Sequence, residues 1–261
     1  MSNLGQALFV SHGGGPMPLL HDPSHDQMVS TLSELSTQIK QPKAIIVVSA
    51  HWEAEPIAIT AHASPGLLYD YYGFPAASYQ FAYPAPGHQK LAQSIHKQLQ
   101  AEGLQASLDE RRDWDHGVFV PLLLLFPDAN IPVVQVSLHP SLNIETHTRL
   151  GEALASLINE HTLLVGSGFS FHNMRAFFSP LSSEDQQQNR AFESWIHDTV
   201  TQPFSANPWQ HWASAPGARY CHPREEHLLP LTVLAAAMHR PAEVRSEFAL
   251  GSISASHYLW R

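Results

Sequence analysis

Short, uninterrupted apolar runs alternate along the chain with longer stretches in which apolar residues recur every three or four positions. The runs are Ala7-Leu8-Phe9-Val10, Ala44-Ile45-Ile46-Val47-Val48, Val133-Val134-Gln135-Val136 and Leu163-Leu164-Val165. Continuous rather than alternating apolar character predicts strands covered on both faces. Ile57-Ala58-Ile59 and Ser252-Ile253-Ser254 are weaker strand candidates. Four stripes predict amphipathic helices: Met28, Leu32, Leu35 and Ile39; Leu91, Ile95 and Leu99, with Gly103 placed to end the turn; Leu150, Leu154, Leu157 and Ile158; and Phe192, Trp195, Ile196 and Val200. Strands alternating with helices predict one α/β domain over residues 1–261. Its central sheet is largely parallel or mixed, with helices on both faces. The Pro- and aromatic-rich stretch from Tyr71 to Gly87 reads as an ordered loop inside that domain.

In such a sheet, ligands bind outside the carboxyl ends of the strands. Histidines stand at those places. His12 follows Phe9-Val10-Ser11, His51 follows Val48-Ser49-Ala50, His139 follows Ser137-Leu138, and His172 lies a few residues beyond Gly166-Ser167-Gly168. The chain carries 18 histidines against 14 lysines and arginines. Histidine is the commonest metal ligand and titrates nearest neutrality. Four strand-end placements predict convergence on one rim. His21, His25, His62, His88, His96 and His257 fall outside this pattern and read as surface residues.

Composition narrows the partners. The net charge of −9 disfavours a phosphate backbone, so nucleic acid is not expected. The longest apolar run, Val118 to Phe126, is too short to span a bilayer. The N-terminal residues show no signal peptide. A single cysteine, Cys221, allows no intrachain disulfide and no cysteine zinc finger. Together these predict a soluble, cytoplasmic protein with small-molecule partners. No heptad or interface stripe sets an oligomeric state.

Five motifs carry candidate chemistry. His12-Gly13-Gly14-Gly15-Pro16 offers a ligand beside glycines that allow close backbone approach. A similar run forms the oxyanion hole of many α/β-hydrolases, but the required G-x-S-x-G elbow is missing. Ser49-Ala50-His51-Trp52-Glu53 repeats the Ser–His strand ending. Asp113-Trp114-Asp115-His116-Gly117 reads as an acid/base histidine, a helix start capped by aspartate, or both. Phe169-Ser170-Phe171-His172-Asn173 places a histidine in a loop as base or ligand. His222-Pro223-Arg224-Glu225-Glu226-His227 leads into an apolar helix, and His227 or Glu226 can complete a metal site. Two histidines with a carboxylate suit non-haem Fe(II); three histidines suit catalytic zinc.

The motifs LFVSHGGGP, VVSAHW, YYGFP with YPAPG, DWDHG, FPDANIPVVQVSL, GSGFSFHN and HPREEHLLPL occur in that order from about residue 7 to 235. This set resembles the class III extradiol ring-cleaving dioxygenase superfamily, and within it the 4,5-DOPA extradiol dioxygenase-like group. The resemblance implies a metal-dependent enzyme that inserts O2 into a catechol-type ring beside the diol to give a ring-opened semialdehyde. It implies Fe(II) for activity, with Zn(II) able to occupy the site. It suggests His12, His51 and His227 as ligands, His172 as base or further ligand, and His116 as a second acid/base group. Glu226 either assists or replaces His227. Tyr72, Phe74 and Tyr83 are candidates for stacking on the substrate ring, with core packing as their alternative. Two other readings stay open: a zinc-dependent hydrolase on the same scaffold, and a non-catalytic metal- or catechol-binding protein.

Overall fold

The computed structural model describes residues 5–177 and 180–261. Every predicted apolar run becomes a strand of one eight-stranded sheet. The strands are β1 (Gln6–Ser11), β2 (Ala44–Glu53), β3 (Ile57–Thr60), β4 (Ala106–Asp109), β5 (Val133–Leu138), β6 (Thr162–Gly168), β7 (Val244–Leu250) and β8 (Ile253–Trp260). Their order is β4-β3-β5-β2-β6-β1-β8-β7. The central pairs β5/β2, β2/β6 and β6/β1 are parallel, while β8 and β7 close one side antiparallel. The sheet is mixed, as expected, and its middle is the parallel part.

The helices among the described residues are α1 (Asp26–Ser36), α2 (Gln89–Ala101), α3 (His116–Leu125), α4 (Ile144–Ala155), α5 (Met174–Phe177), α6 (Ser183–Val200), α7 (Ala206–Gln210), α8 (Ala218–Cys221) and α9 (Leu229–Met238). Alternate residues of each central strand feed two separate cores. Ala7 and Phe9 of β1, with Ile46 and Val48 of β2, meet α2, α4, α6 and α9. Leu8 and Val10, with Ile45 and Val47, meet α1 and α3 on the other face. Burial on both faces explains why these strands read as continuous apolar runs. No helix among the described residues is long and apolar enough to cross a membrane.

Two stripes overrun their helices. α1 ends at Ser36 and α4 at Ala155, so Ile39, Leu157 and Ile158 lie in the turns that follow. They still pack against the cores, which is why the periodicity continued past the hydrogen-bonded turns. Gly103 lies just beyond α2 with φ of 71°, the left-handed conformation its position predicted.

Candidate metal centre and substrate cavity

β1, β6 and β2 lie side by side, and the chain leaving each one delivers a histidine to the same rim. His12 follows β1, His51 sits near the end of β2, and His172 follows β6. α3 begins with His116, and His227 stands just before α9. All five line one cavity of about 1080 Å³.

Two glycines make this crowding possible. A Cβ on Gly168 would lie 2.2 Å from the carbonyl oxygen of His227, which instead accepts the Phe169 N–H at 3.0 Å. A Cβ on Gly117 would meet the Ser49 Oγ at 2.5 Å and His51 Cδ2 at 3.0 Å. Only a residue without a side chain lets these backbones and rings approach so closely.

The Nε2 atoms of His12 and His51 are 3.0 Å apart, and those of His51 and His227 are 3.3 Å apart. The Nδ1 partners decide what these nitrogens are. Ser167 donates its hydroxyl proton to the carbonyl oxygen of Gly117, so its oxygen can only accept from His12 Nδ1–H, at 2.9 Å. His51 Nδ1 lies 3.5 Å from Asp70 Oδ2. His227 Nδ1 lies 2.9 Å from Glu226 Oε1. A neutral imidazole carries one proton; Nδ1 holds it on His12 and His227, and on His51 Asp70 is the acceptor that faces Nδ1.

The rings are indeed neutral. Burial, reinforced by the neighbouring histidines, holds His12 and His51 well below the ordinary histidine range. Burial pushes His227 down to about 3, with Glu226 opposing. The Nε2 atoms of three neutral rings therefore meet, His51 lying within 3.3 Å of both His12 and His227. Two nitrogens bound at about 2.1 Å to one ion stand about 3–3.4 Å apart. The donor set fits a metal ion that accepts imidazole nitrogen.

Two carboxylates organise the site. Asp70 Oδ1 accepts from both the backbone N–H and Nδ1 of His116, at 2.9 and 2.7 Å, while its Oδ2 faces His51. Burial works to raise Asp70, but the hydrogen bonds from His116 outweigh it and hold the carboxyl below its usual range. Glu226 Oε1 faces both His227 Nδ1 and His172 Nδ1, the latter at 3.2 Å. Burial again works to raise Glu226, and the bonds from His172 and His227 overcome it. The His172 and His227 rings stack with centroids 3.4 Å apart. Two groups of side chains able to hold a metal thus adjoin: His12, His51 and His116, and His172, Glu226 and His227.

Several residues stand elsewhere than the sequence predicts. Tyr83 is 2% exposed and packs in the core beneath α3, away from the cavity wall, because its ring completes the apolar layer there. Tyr72 reaches the cavity only at its mouth and is 91% exposed. Phe74 does line the wall, against Gly15. His139 does not join the rim. It faces Glu55 and bonds Ser141, since β2 runs on past its register with β5 to Glu53 and separates His139 from the cluster. Asp115 occupies the N-cap position of α3, but its side chain makes no cap bond. The buried carboxylate instead receives Ser49 Oγ, Gln135 Nε2 and Arg112 Nη2 at 3.0, 2.5 and 3.0 Å.

Two histidines that read as surface residues are buried. His25 lines the cavity and accepts the Gly14 N–H on Nε2 at 3.1 Å, pinning the triple-glycine turn. His257 is fully buried and accepts the Ser11 N–H on Nδ1 at 3.2 Å. Asp70 was not singled out by the sequence. The only signal was a lone carboxylate preceding Tyr71-Tyr72-Gly73-Phe74-Pro75.

A family model described as the catalytic LigB subunit of aromatic ring-opening dioxygenase matches residues 6–258. The chain belongs to this family. Its relatives include named dioxygenases. A dioxygenase of Hapsidospora irregularis, tasH, is 40% identical over 261 residues, covering 93% of this chain and 81% of that protein. The 4,5-DOPA extradiol dioxygenase of Beta vulgaris is 37% identical, covering 90% of this chain and 87% of its own. The 4,5-DOPA extradiol dioxygenase of Escherichia coli strain K12 is 34% identical, covering 88% and 84%. A crystal structure of an uncharacterized Escherichia coli K12 protein matches with a TM-score of 0.79 and 30% identity, over 98% of this chain and 100% of that one. As a LigB-family member, this protein is a metal-dependent extradiol ring-cleaving dioxygenase acting on a catechol-type substrate and O2.

Proposed function

We propose that residues 1–261 form one catalytic domain in which Fe(II), held by Nε2 of His12, His51 and His227, supports ring opening of a catechol beside its diol. The observation that carries this is the meeting of the Nε2 atoms of three neutral rings, 3.0 and 3.3 Å apart, on the floor of a cavity. Such an arrangement of nitrogens calls for a cation. When bound, the metal supplies the electron transfer between diol and O2 that no side chain provides. Zinc fits the same imidazoles but has no redox chemistry.

The protein's own part is proton handling and orientation. The ionised Glu226 accepts the Nδ1 proton of His172, so Nε2 of His172 is the basic nitrogen. That nitrogen takes a proton from a substrate hydroxyl, and Glu226 stabilises the imidazolium that forms. Glu226 thereby assists His227 rather than replacing it, through the same oxygen. Asp70 fixes His116 in the same tautomer, and His116 protonates or orients the oxygen end of the reaction. The products balance simply: one O2 and one catechol give one ring-opened semialdehyde carrying both oxygen atoms. The substrate diol and O2 are the only partners invoked. A reducing cytoplasm suits both ferrous iron and the free, buried Cys221.

The test is oxygen consumption by anaerobically Fe(II)-reconstituted protein with a panel of catechols. Uptake of one O2 per diol with a yellow product is expected. Hydrolysis of model esters by zinc-loaded protein, with no oxygen uptake by the iron form, would overturn the reading.

A further inference from the structure

The cavity is much larger than the diol needs, and its outer part has a chemistry of its own. Roughly 150 Å³ is enough to hold a benzene ring, and drug-sized ligands occupy about 300–1,000 Å³. This cavity measures about 1080 Å³. Its floor is the histidine cluster. Its apolar lining comes from Met17, Phe74, Phe169, Phe177, Leu250 and Ile253.

Among the described residues, no lysine or arginine lines this space. Arg175 is the nearest cation in sequence. It is exposed and is not part of the lining. Among the described residues the only carboxylate in the lining is Asp70, already bonded to His116. Away from the metal floor, a substituent carboxylate would meet no ion-pair partner among the described lining residues and would exchange its hydration for a few polar groups such as Ser24, His25 and Ser252.

The rim points the same way. Only three large hydrophobic side chains stand exposed among the described residues, and two of them, Tyr72 and Met174, border this cavity. They come from different segments, the aromatic loop and α5. Exposed apolar groups gathered at a cavity mouth mark contact with an apolar partner.

We propose that the substrate is an uncharged catechol whose apolar substituent extends beyond a single ring and fills the chamber between Phe74 and Phe177, reaching Tyr72 and Met174. The proposal rests on the ring-opening reading for the position of the diol. It excludes small catechol acids and amino acids as preferred substrates.

The experiment compares methyl-, butyl- and hexylcatechol, together with dihydroxyphenylpropanol and dihydroxyphenylpropanoate, a pair of equal length that differs in charge. Each is followed by calorimetric binding to the iron-loaded and metal-free protein, and by oxygen uptake. Affinity should rise about three- to fourfold per added methylene, and the alcohol should bind at least about tenfold more tightly than the acid. Met174→Lys, at an exposed position that leaves the core intact, should narrow the alcohol-to-acid ratio toward one. A flat length series, or an acid that binds as tightly as the alcohol, would overturn the proposal. Should no catechol be turned over by the loaded protein, the ring-opening reading fails, while the order of binding still judges the chamber.

Discussion

Two carboxylates hold four of the five histidines, His12 being held by Ser167, and they do so from very different ground. Glu226 lies three residues before the largely apolar α9, where the backbone of His227 is pressed against Gly168 of β6. Its side chain is about 10% exposed, and one oxygen serves His227 and His172 together. Asp70 lies on the irregular aromatic loop, with a side chain about 21% exposed, and reaches His51 only at 3.5 Å while bonding His116 at 2.7 Å. Each carboxylate thus joins one candidate ligand to one proton-handling histidine. The Glu226 pair is built into the sheet; the Asp70 pair is tied to a wall of the cavity. On the proposed reading, a single scaffold oxygen couples metal holding to proton transfer at one end, whereas at the other the coupling runs through a loop that also lines the cavity.

The largest expected effect falls on the Glu226 side. Glu226→Gln removes the charge that fixes both rings. Metal affinity should drop about 10–100-fold and kcat by at least about 10²-fold, measured by metal titration and oxygen uptake. His172→Phe should abolish turnover while metal still binds. Retained turnover in that variant would remove the base role.

The Asp70 side should give a smaller and different response. Asp70→Asn keeps the shape but leaves His116 without its anion. Metal content should stay near wild type and kcat should fall about tenfold, with most of the loss in kcat rather than KM. Equal damage to metal binding in the two carboxylate variants would erase the contrast.

Stability effects come next. Gly168→Ala should cost about 1–3 kcal/mol by overpacking against His227, seen as a lower Tm in the metal-free protein. Acid should destabilise the fold for reasons outside the site. Burial holds His147 at about 4 and His257 at about 3, whereas both titrate near 6.5 when unfolded. The unfolded chain therefore binds protons that the folded one refuses. Stability is full above about pH 6.5 and falls as the pH drops below it, by about 2 kcal/mol per histidine at pH 5. His257→Asn, which keeps an acceptor for Ser11, should flatten this acid slope. The smallest effect belongs to Arg224, 53% exposed and paired with Glu53 at 2.7 Å. Arg224→Ala should change stability by less than about 1 kcal/mol.

The legible parts of the fold were those whose burial pattern is simple. β1, β2, β5 and β6 are covered on both faces, so each appears as an apolar run. β7, with Arg245 and Glu247 on an edge, and the short, half-buried β4 carry no such run. β8 is buried yet includes Ser256 and His257, whose polar groups meet partners far away in sequence such as Glu193 and Ser11. The histidines of the site were legible because three of them follow central strands. Asp70 was not, since its importance comes from where a loop of irregular backbone folds back, which no local pattern encodes. The same holds for His25, whose role depends on meeting Gly14, and for Asp115, drawn away from its helix by Ser49, Gln135 and Arg112.

The division of the five histidines into ligands and proton carriers is the central claim, and metal stoichiometry tests it most directly. Iron content would be measured after anaerobic loading of the wild type and of five single His→Ala variants. Near-stoichiometric iron is expected in the wild type and in the His116 and His172 variants, and its loss in those of His12, His51 and His227. Loss of iron on removing His116 together with retention on removing His227 would contradict it and move the metal to the Asp70 side.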